Sequence, residues 1–213
     1  MSVDLSRRLT NNLYHSVLAG HVPQLHPNSV VSRHGPAPLT LLTDKRSADH
    51  EETVMTLLHP GDSFPALPLT QVGGQTLTVP DALADNFGVV LFYRGSWCPY
   101  CTAQLRAFQR AGERLVETGI KVVALSVDDE TTTAEMIKKL GLTFPVGHTA
   151  DADAISAATG AFVNPEPVYL QSTGFLLDPS GKVVVSVYSS GAIGRLVPDD
   201  VIGLVRNLRE RAK

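Results

Sequence analysis

The chain has 213 residues, of which 43% are hydrophobic and 18% charged, enough apolar material for a buried core. Lys and Arg number 18 against 21 Asp and Glu, a formal net charge of -3. No basic excess exists to neutralise a phosphate backbone, so nucleic acid is not an expected partner. No run approaches the ~18 apolar residues of a membrane helix, so no membrane partner is expected. Arg7 and Arg8 are not followed by an apolar stretch of the secretory kind, and the expected address is cytoplasmic.

Residues 1–54 differ from the rest. They hold five of the seven histidines and a polar run over 44–53, and read as an N-terminal extension, partly helical or poorly ordered. A helix over 4–18 would carry Leu5, Leu9, Leu13 and Val17 on one face. Met55 is a possible alternative start. From residue 55 to 213 the pattern is that of one α/β domain. Residues 60–69 are Pro-rich and extended, and Gly73-Gly74 turns into a strand over 75–79. A short helix is expected over 80–86. Residues 89–93 form a continuous apolar strand of the buried, parallel kind. A helix follows the cysteines to about 118, with Leu105, Phe108, Leu115 and Val116 on one face, and Gly119 ends it.

Residues 121–127 read as the next buried strand. Helices over 131–140 and 151–159 stop at Gly141 and Gly160. Strands over 173–177 and 182–188 are joined by the turn Asp178-Pro179-Ser180-Gly181. Pro198, followed by Asp199 and Asp200, opens a terminal helix burying Val201, Leu204, Val205 and Leu208. Reactive groups in such sheets gather beyond the carboxyl ends of strands.

The only two cysteines lie at such a place, in Gly95-Ser96-Trp97-Cys98-Pro99-Tyr100-Cys101. A lone C-x-x-C reads as a redox pair or half a zinc site. Structural zinc needs four ligands, and the one closely spaced histidine pair, His21 and His26, is far upstream, so no metal is expected. Pro99 suits the first helical turn, which puts Cys98 near the N-cap and Cys101 at the end of that turn. This spacing lets the sulfurs meet in a small-loop Cys98–Cys101 disulfide. A helix N-terminus favours the thiolate. Arg94 and Arg106 flank the pair and add positive field, and Trp97 offers an apolar platform.

These features resemble the peroxiredoxin-like redoxins of the alkyl hydroperoxide reductase/thiol-specific antioxidant family, in the thioredoxin-fold superfamily. The resemblance covers about residues 59–208. It rests on the segments 60–67, 89–101, 123–128, 144–146 and 175–183. It implies a thioredoxin-like three-layer α/β sandwich and a thiol-dependent peroxidase without cofactor.

In the family's P-x-x-x-T-x-x-C pattern, Arg94 stands for the proline, Cys98 for the threonine, and Cys101 takes the peroxidatic position. Cys98 would then resolve, forming the disulfide. Ser172 falls where the family places an arginine before the strand over 173–177, and Arg94 or Arg195 is expected to serve instead. The implied partners are a hydroperoxide and a thioredoxin-like or low-molecular-weight thiol reductant, with a possible homodimer.

Cys98-Pro99-Tyr100-Cys101 is also the glutaredoxin-type tetrapeptide, with Trp97 before it as in thioredoxin. That alternative makes Cys98 the nucleophile of a dithiol-disulfide oxidoreductase. Its cis-proline has no counterpart directly before residue 173, although Pro165 and Pro167 are near. A third reading is a non-catalytic redox sensor. Asp128 could face the cleft, whereas Asp129, Glu130 and His148 read as a helix start and a loop histidine.

Overall fold

The computed structural model describes residues 56–211. The expected extension over 1–54, with its helix over 4–18, His21, His26 and the start at Met55, lies outside them. In chain order, β1 (Leu67–Thr70) and β2 (Thr76–Val79) come first, followed by a short 3-10 helix at Asp81–Leu83. Next are β3 (Phe87–Phe92), α1 (Pro99–Arg110), α2 (Gly112–Glu117), β4 (Ile120–Leu125), α3 (Glu130–Leu140), β5 (Val146–Gly147) and α4 (Ala152–Thr159). The chain ends with β6 (Val163–Pro165), β7 (Val168–Leu170), β8 (Thr173–Leu177), β9 (Val183–Tyr188) and α5 (Pro198–Arg211).

The central sheet has the order β5-β4-β3-β8-β9. β4 pairs parallel with β3 and β5, while β8 pairs antiparallel with β3 and β9. Helices cover both faces, so β3 is buried throughout and shows no polar alternation. Its side chains still alternate between faces. Val89, Leu91 and Tyr93 face Leu105, Phe108, Met136, Val201 and Val205. Val90 and Phe92 face the opposite core, with Leu67, Leu83, Ile155 and Leu170. This is the expected three-layer α/β sandwich.

The helix boundaries follow their caps. Asp129 accepts from the Thr132 amide at 2.7 Å and starts α3, and Asp151 accepts from Ala154 at 3.0 Å and starts α4. Gly141 and Gly160 close them in the left-handed conformation, as expected.

Four details differ from expectation. The helix expected to reach residue 118 breaks at Ala111, whose amide bonds to the carbonyls of both Ala107 and Phe108. Gly112, a weak helix former, follows the break. The stretch expected to be merely extended contributes β1, which pairs with β2. The β6–β7 hairpin had no sequence signal, because its strands are three residues long and prolines interrupt it. In α5, Ile202 is fully buried in addition to Val201 and Val205, while Leu204 and Leu208 are only partly buried.

Candidate active site

The site forms where β3 hands over to α1. Past β3, the Tyr93 amide still bonds to the Leu125 carbonyl at 3.1 Å. The chain then turns through Arg94, Gly95 and Ser96. Gly95 has φ 150°, and a Cβ there would strike the Trp97 indole, so the turn requires glycine. Asp128, just beyond β4, accepts the Ser96 amide on Oδ2 at 2.7 Å and pins the loop. Burial holds the Asp128 carboxyl above its usual range against that hydrogen bond.

Cys98 is the N-cap of α1 and Pro99 its first residue, as expected. The Cys98 Sγ accepts from the Cys101 amide at 3.4 Å, in the place a serine or aspartate oxygen usually takes. Cys101 lies one turn in, and its Sγ accepts from the Arg94 amide at 3.3 Å. Both thiols are free and buried.

Arg195 reaches both sulfurs from the loop between β9 and α5. Its Nη2 lies 3.8 Å from Cys98 Sγ and 3.6 Å from Cys101 Sγ. The same nitrogen donates to the Ala192 carbonyl at 2.6 Å. Nη1 donates to the Ser172 hydroxyl and, at 3.5 Å, to Gln104 Oε1. Gln104 in turn donates to the Leu196 carbonyl at 3.0 Å, tying the loop to α1. Ser172 therefore does not leave the site without an arginine. It accepts one from a different loop.

Arg94 sits on the other side. Its guanidinium lies 4.9 Å from the Trp97 ring centroid and 5.0 Å from that of Tyr169. Its Nη2 donates to the Tyr169 hydroxyl at 2.8 Å. Trp97 and Tyr169 themselves meet edge to face at 5.2 Å.

The two thiols are electrostatically unequal. Burial pushes Cys98 up, but the Cys101 thiol, the Cys101 amide and the charges of Arg195 and Arg94 outweigh it, leaving the thiol below its ordinary value. Burial and the hydrogen bond to Cys98 push Cys101 up to about 11, against the Arg94 amide and Arg195. Of the two thiols, Cys98 is therefore the one that gives up its proton first.

The structure brings together Cys98, Cys101, Arg94, Arg195, Trp97 and Pro99 from the sequence reading. Tyr100 is exposed on the outer side of α1. Arg106, expected to add positive field, is exposed and is not among the charges acting on the thiols. Tyr169 and Gln104 were not anticipated. Gln104 was legible as a polar residue on the buried stripe of Cys101, Leu105 and Phe108. Tyr169 was not, because it reaches the site through the unsignalled β6–β7 hairpin. Trp97, Tyr100, Val168, Ile193 and Val197 remain exposed on segments framing the dithiol.

Comparison with known proteins places the chain in a family. The model of the AhpC/TSA family matches residues 60–186. A Mycobacterium tuberculosis protein named as a peroxiredoxin is 30% identical over 151 residues, covering 68% of this chain and 94% of that protein. The thiol-disulfide oxidoreductase ResA of Bacillus cereus is 27% identical over 128 residues, covering 60% of this chain and 68% of that protein. Among solved structures, peroxiredoxin 6 of Arenicola marina superposes with a TM-score of 0.63 at 19% identity, covering 73% of this chain and 76% of that one. The last likeness speaks to the fold, which is that of the peroxiredoxins. The family model spans more than half of the chain and the mycobacterial relative is matched over two thirds of it, so the chain belongs to the AhpC/TSA family.

Proposed function

We propose that the chain is a thiol peroxidase in which Cys98 attacks the hydroperoxide and Cys101 resolves. Membership of the AhpC/TSA family supports the reaction. The order of attack rests on one observation, the placement of Cys98 at the N-cap of α1, where its sulfur accepts from the Cys101 amide. It reverses the roles implied by the family pattern, which made Cys101 peroxidatic. The Cys98 thiolate attacks one peroxide oxygen, the O–O bond breaks, and the leaving alkoxide or hydroxide takes a proton. Cys98 becomes a sulfenic acid. The Cys101 thiol then displaces hydroxide from that sulfur, its proton leaves in the water formed, and a Cys98–Cys101 disulfide results. An external thiol supplies the two electrons that restore the pair.

Arg195 is suited to two tasks. It lowers the charge cost of the thiolate, and its Nη2 lies close enough to both sulfurs to meet a peroxide oxygen there. A reducing compartment such as the cytosol would keep the pair poised. Among the described residues no helix is long and apolar enough to cross a membrane.

The test is rapid mixing of reduced protein with hydrogen peroxide, followed by intact mass. Wild type should lose two hydrogens, Cys101→Ser should gain one oxygen, and Cys98→Ser should remain unmodified. Oxygen trapped on Cys98→Ser, with Cys101→Ser inert, would restore Cys101 as the attacking thiol. If all three react no faster than free cysteine, peroxide is not the substrate.

Disulfide exchange is the second reading. The low Cys98 and high Cys101 thiols are the arrangement that a dithiol oxidoreductase uses, and the ResA relative bears that name. It predicts rapid reduction of insulin disulfides, abolished in Cys98→Ser.

A further inference from the structure

We propose that Arg94, clamped between Trp97 and Tyr169 beside the redox pair, receives the carboxylate of a small acidic thiol that reduces the Cys98–Cys101 disulfide. The proposal rests on the reading that these cysteines cycle through a disulfide, and it names the class of reductant.

The two arginines of the site are used differently. Arg195 is supplied with acceptors, namely the Ser172 hydroxyl, Gln104, the Ala192 carbonyl and both sulfurs. Arg94 has the Tyr169 hydroxyl and the Cys98 sulfur beside it, and its Nε, like that of Arg195, meets no acceptor. The described residues pair no carboxylate with either arginine, their salt bridge being Arg114–Asp199. The nearby Asp128 carboxylate is engaged with the Ser96 amide. Two rings lie against the Arg94 guanidinium, which fixes its orientation and favours hydrogen bonding at its edge. A planar, always-charged fork held this way matches a carboxylate.

The redox state sets the charge that a ligand meets. In the reduced site a Cys98 thiolate, whenever it forms, offsets one guanidinium. Disulfide formation removes that negative charge and leaves both guanidiniums. The oxidised site therefore attracts an anion more strongly than the reduced one, which favours binding before reduction and release after it. Both sulfurs are buried, which suits a thiol on a short stem better than one on a protein surface. The exposed face of Trp97 gives that stem an apolar support.

The step balances without another reagent. The thiolate of the reductant attacks Cys98 Sγ, the S–S bond breaks, and Cys101 leaves with the electron pair and takes a proton. A second reductant thiolate attacks the reductant sulfur of the mixed disulfide. It releases the Cys98 thiolate and the disulfide of the reductant. Two thiols are oxidised for each protein disulfide reduced.

The experiment uses the full chain oxidised with diamide, so that it does not depend on peroxidase activity. Mercaptopropionate, mercaptoethanol and cysteamine are mixed with it, and reduction is followed by acid quenching and intact mass. Rates are compared per thiolate. The anionic thiol should exceed the neutral one about fivefold, the value of a partly exposed ion pair, and the cationic thiol should be slowest. The preference should shrink in about 0.5 M salt. Arg94→Gln should lower the anionic-to-neutral ratio severalfold, leaving only what Arg195 and the intrinsic nucleophilicities contribute, and Arg94→Lys should keep more of it.

Should Arg94→Gln fail to fold, Tyr169→Phe, which frees one more donor at the guanidinium edge and keeps the ring and the charge, should raise the ratio instead. Equal ratios in wild type and variants, or a neutral thiol fastest in wild type, would overturn the proposal. A disulfide that forms with diamide but not with peroxide would sink the peroxidase reading alone.

Discussion

The Cys98 sulfur owes its reactivity to neighbours that can be removed one at a time. Its thiol lies below the ordinary value, so the thiolate survives to lower pH than that of an ordinary cysteine and is lost as pH falls through the lowered value. Iodoacetamide alkylation of Cys98 should therefore be half-maximal at a lower pH than for free cysteine. Arg195→Gln removes one stabilising charge and should move that midpoint upward. A midpoint one pH higher than neutral leaves about tenfold less thiolate than thiol at neutral pH. Cys101→Ala should also raise it, because the sulfur loses the thiol that hydrogen-bonds to it. A midpoint unchanged in both variants would mean that the helix N-terminus alone sets the value.

Gly95 is a second residue-scale dependence. Alanine there combines a positive φ with a collision against Trp97, and should cost about 1–3 kcal/mol, measured by urea unfolding followed by circular dichroism.

At the scale of elements, α5 carries a glycine it does not need. Gly203 lies in mid-helix, and a Cβ added there would meet nothing within 4 Å. Gly203→Ala should stabilise by about 0.5–1 kcal/mol, seen as a higher urea midpoint at unchanged slope. The elements most legible in the sequence were those whose signal is local. β3 is an unbroken apolar run, Pro99 marks the start of α1, and Asp129, Asp151, Gly141 and Gly160 punctuate α3 and α4.

What was not legible depends on contacts between distant segments. Arg195 was among the arginines expected at the site, but its bonds to Ser172 and Gln104, across 23 and 91 residues, were not. Tyr169 reaches Arg94 across 75. No period or motif encodes such meetings. The relative acidity of the two thiols is equally tertiary, since it turns on burial and on which charge faces which sulfur.

For the whole molecule, the core behind the site is organised around Phe175. Its ring makes edge-to-face contacts with Phe64 at 5.1 Å, Phe92 at 5.6 Å and Tyr188 at 5.6 Å. Tyr188 extends this cluster, donating to the Thr159 carbonyl at 2.6 Å and accepting from the Leu58 amide at 2.8 Å. One ring thus joins the incoming chain, the sheet and the end of α4. Phe175→Ala should cost about 3–5 kcal/mol and lower the thermal midpoint with cooperativity retained. A loss below about 1 kcal/mol would mean that the core can collapse around the gap.

Trp97 is the single tryptophan of the chain, and it stands next to Cys98 with a cation stacked against its ring. Indole emission from this protein therefore originates wholly beside the cysteine pair. Exchange of a thiolate for a disulfide alters the local field on that ring. The emission should therefore shift when peroxide is added to the reduced protein, a label-free, real-time check on the proposed sulfur chemistry.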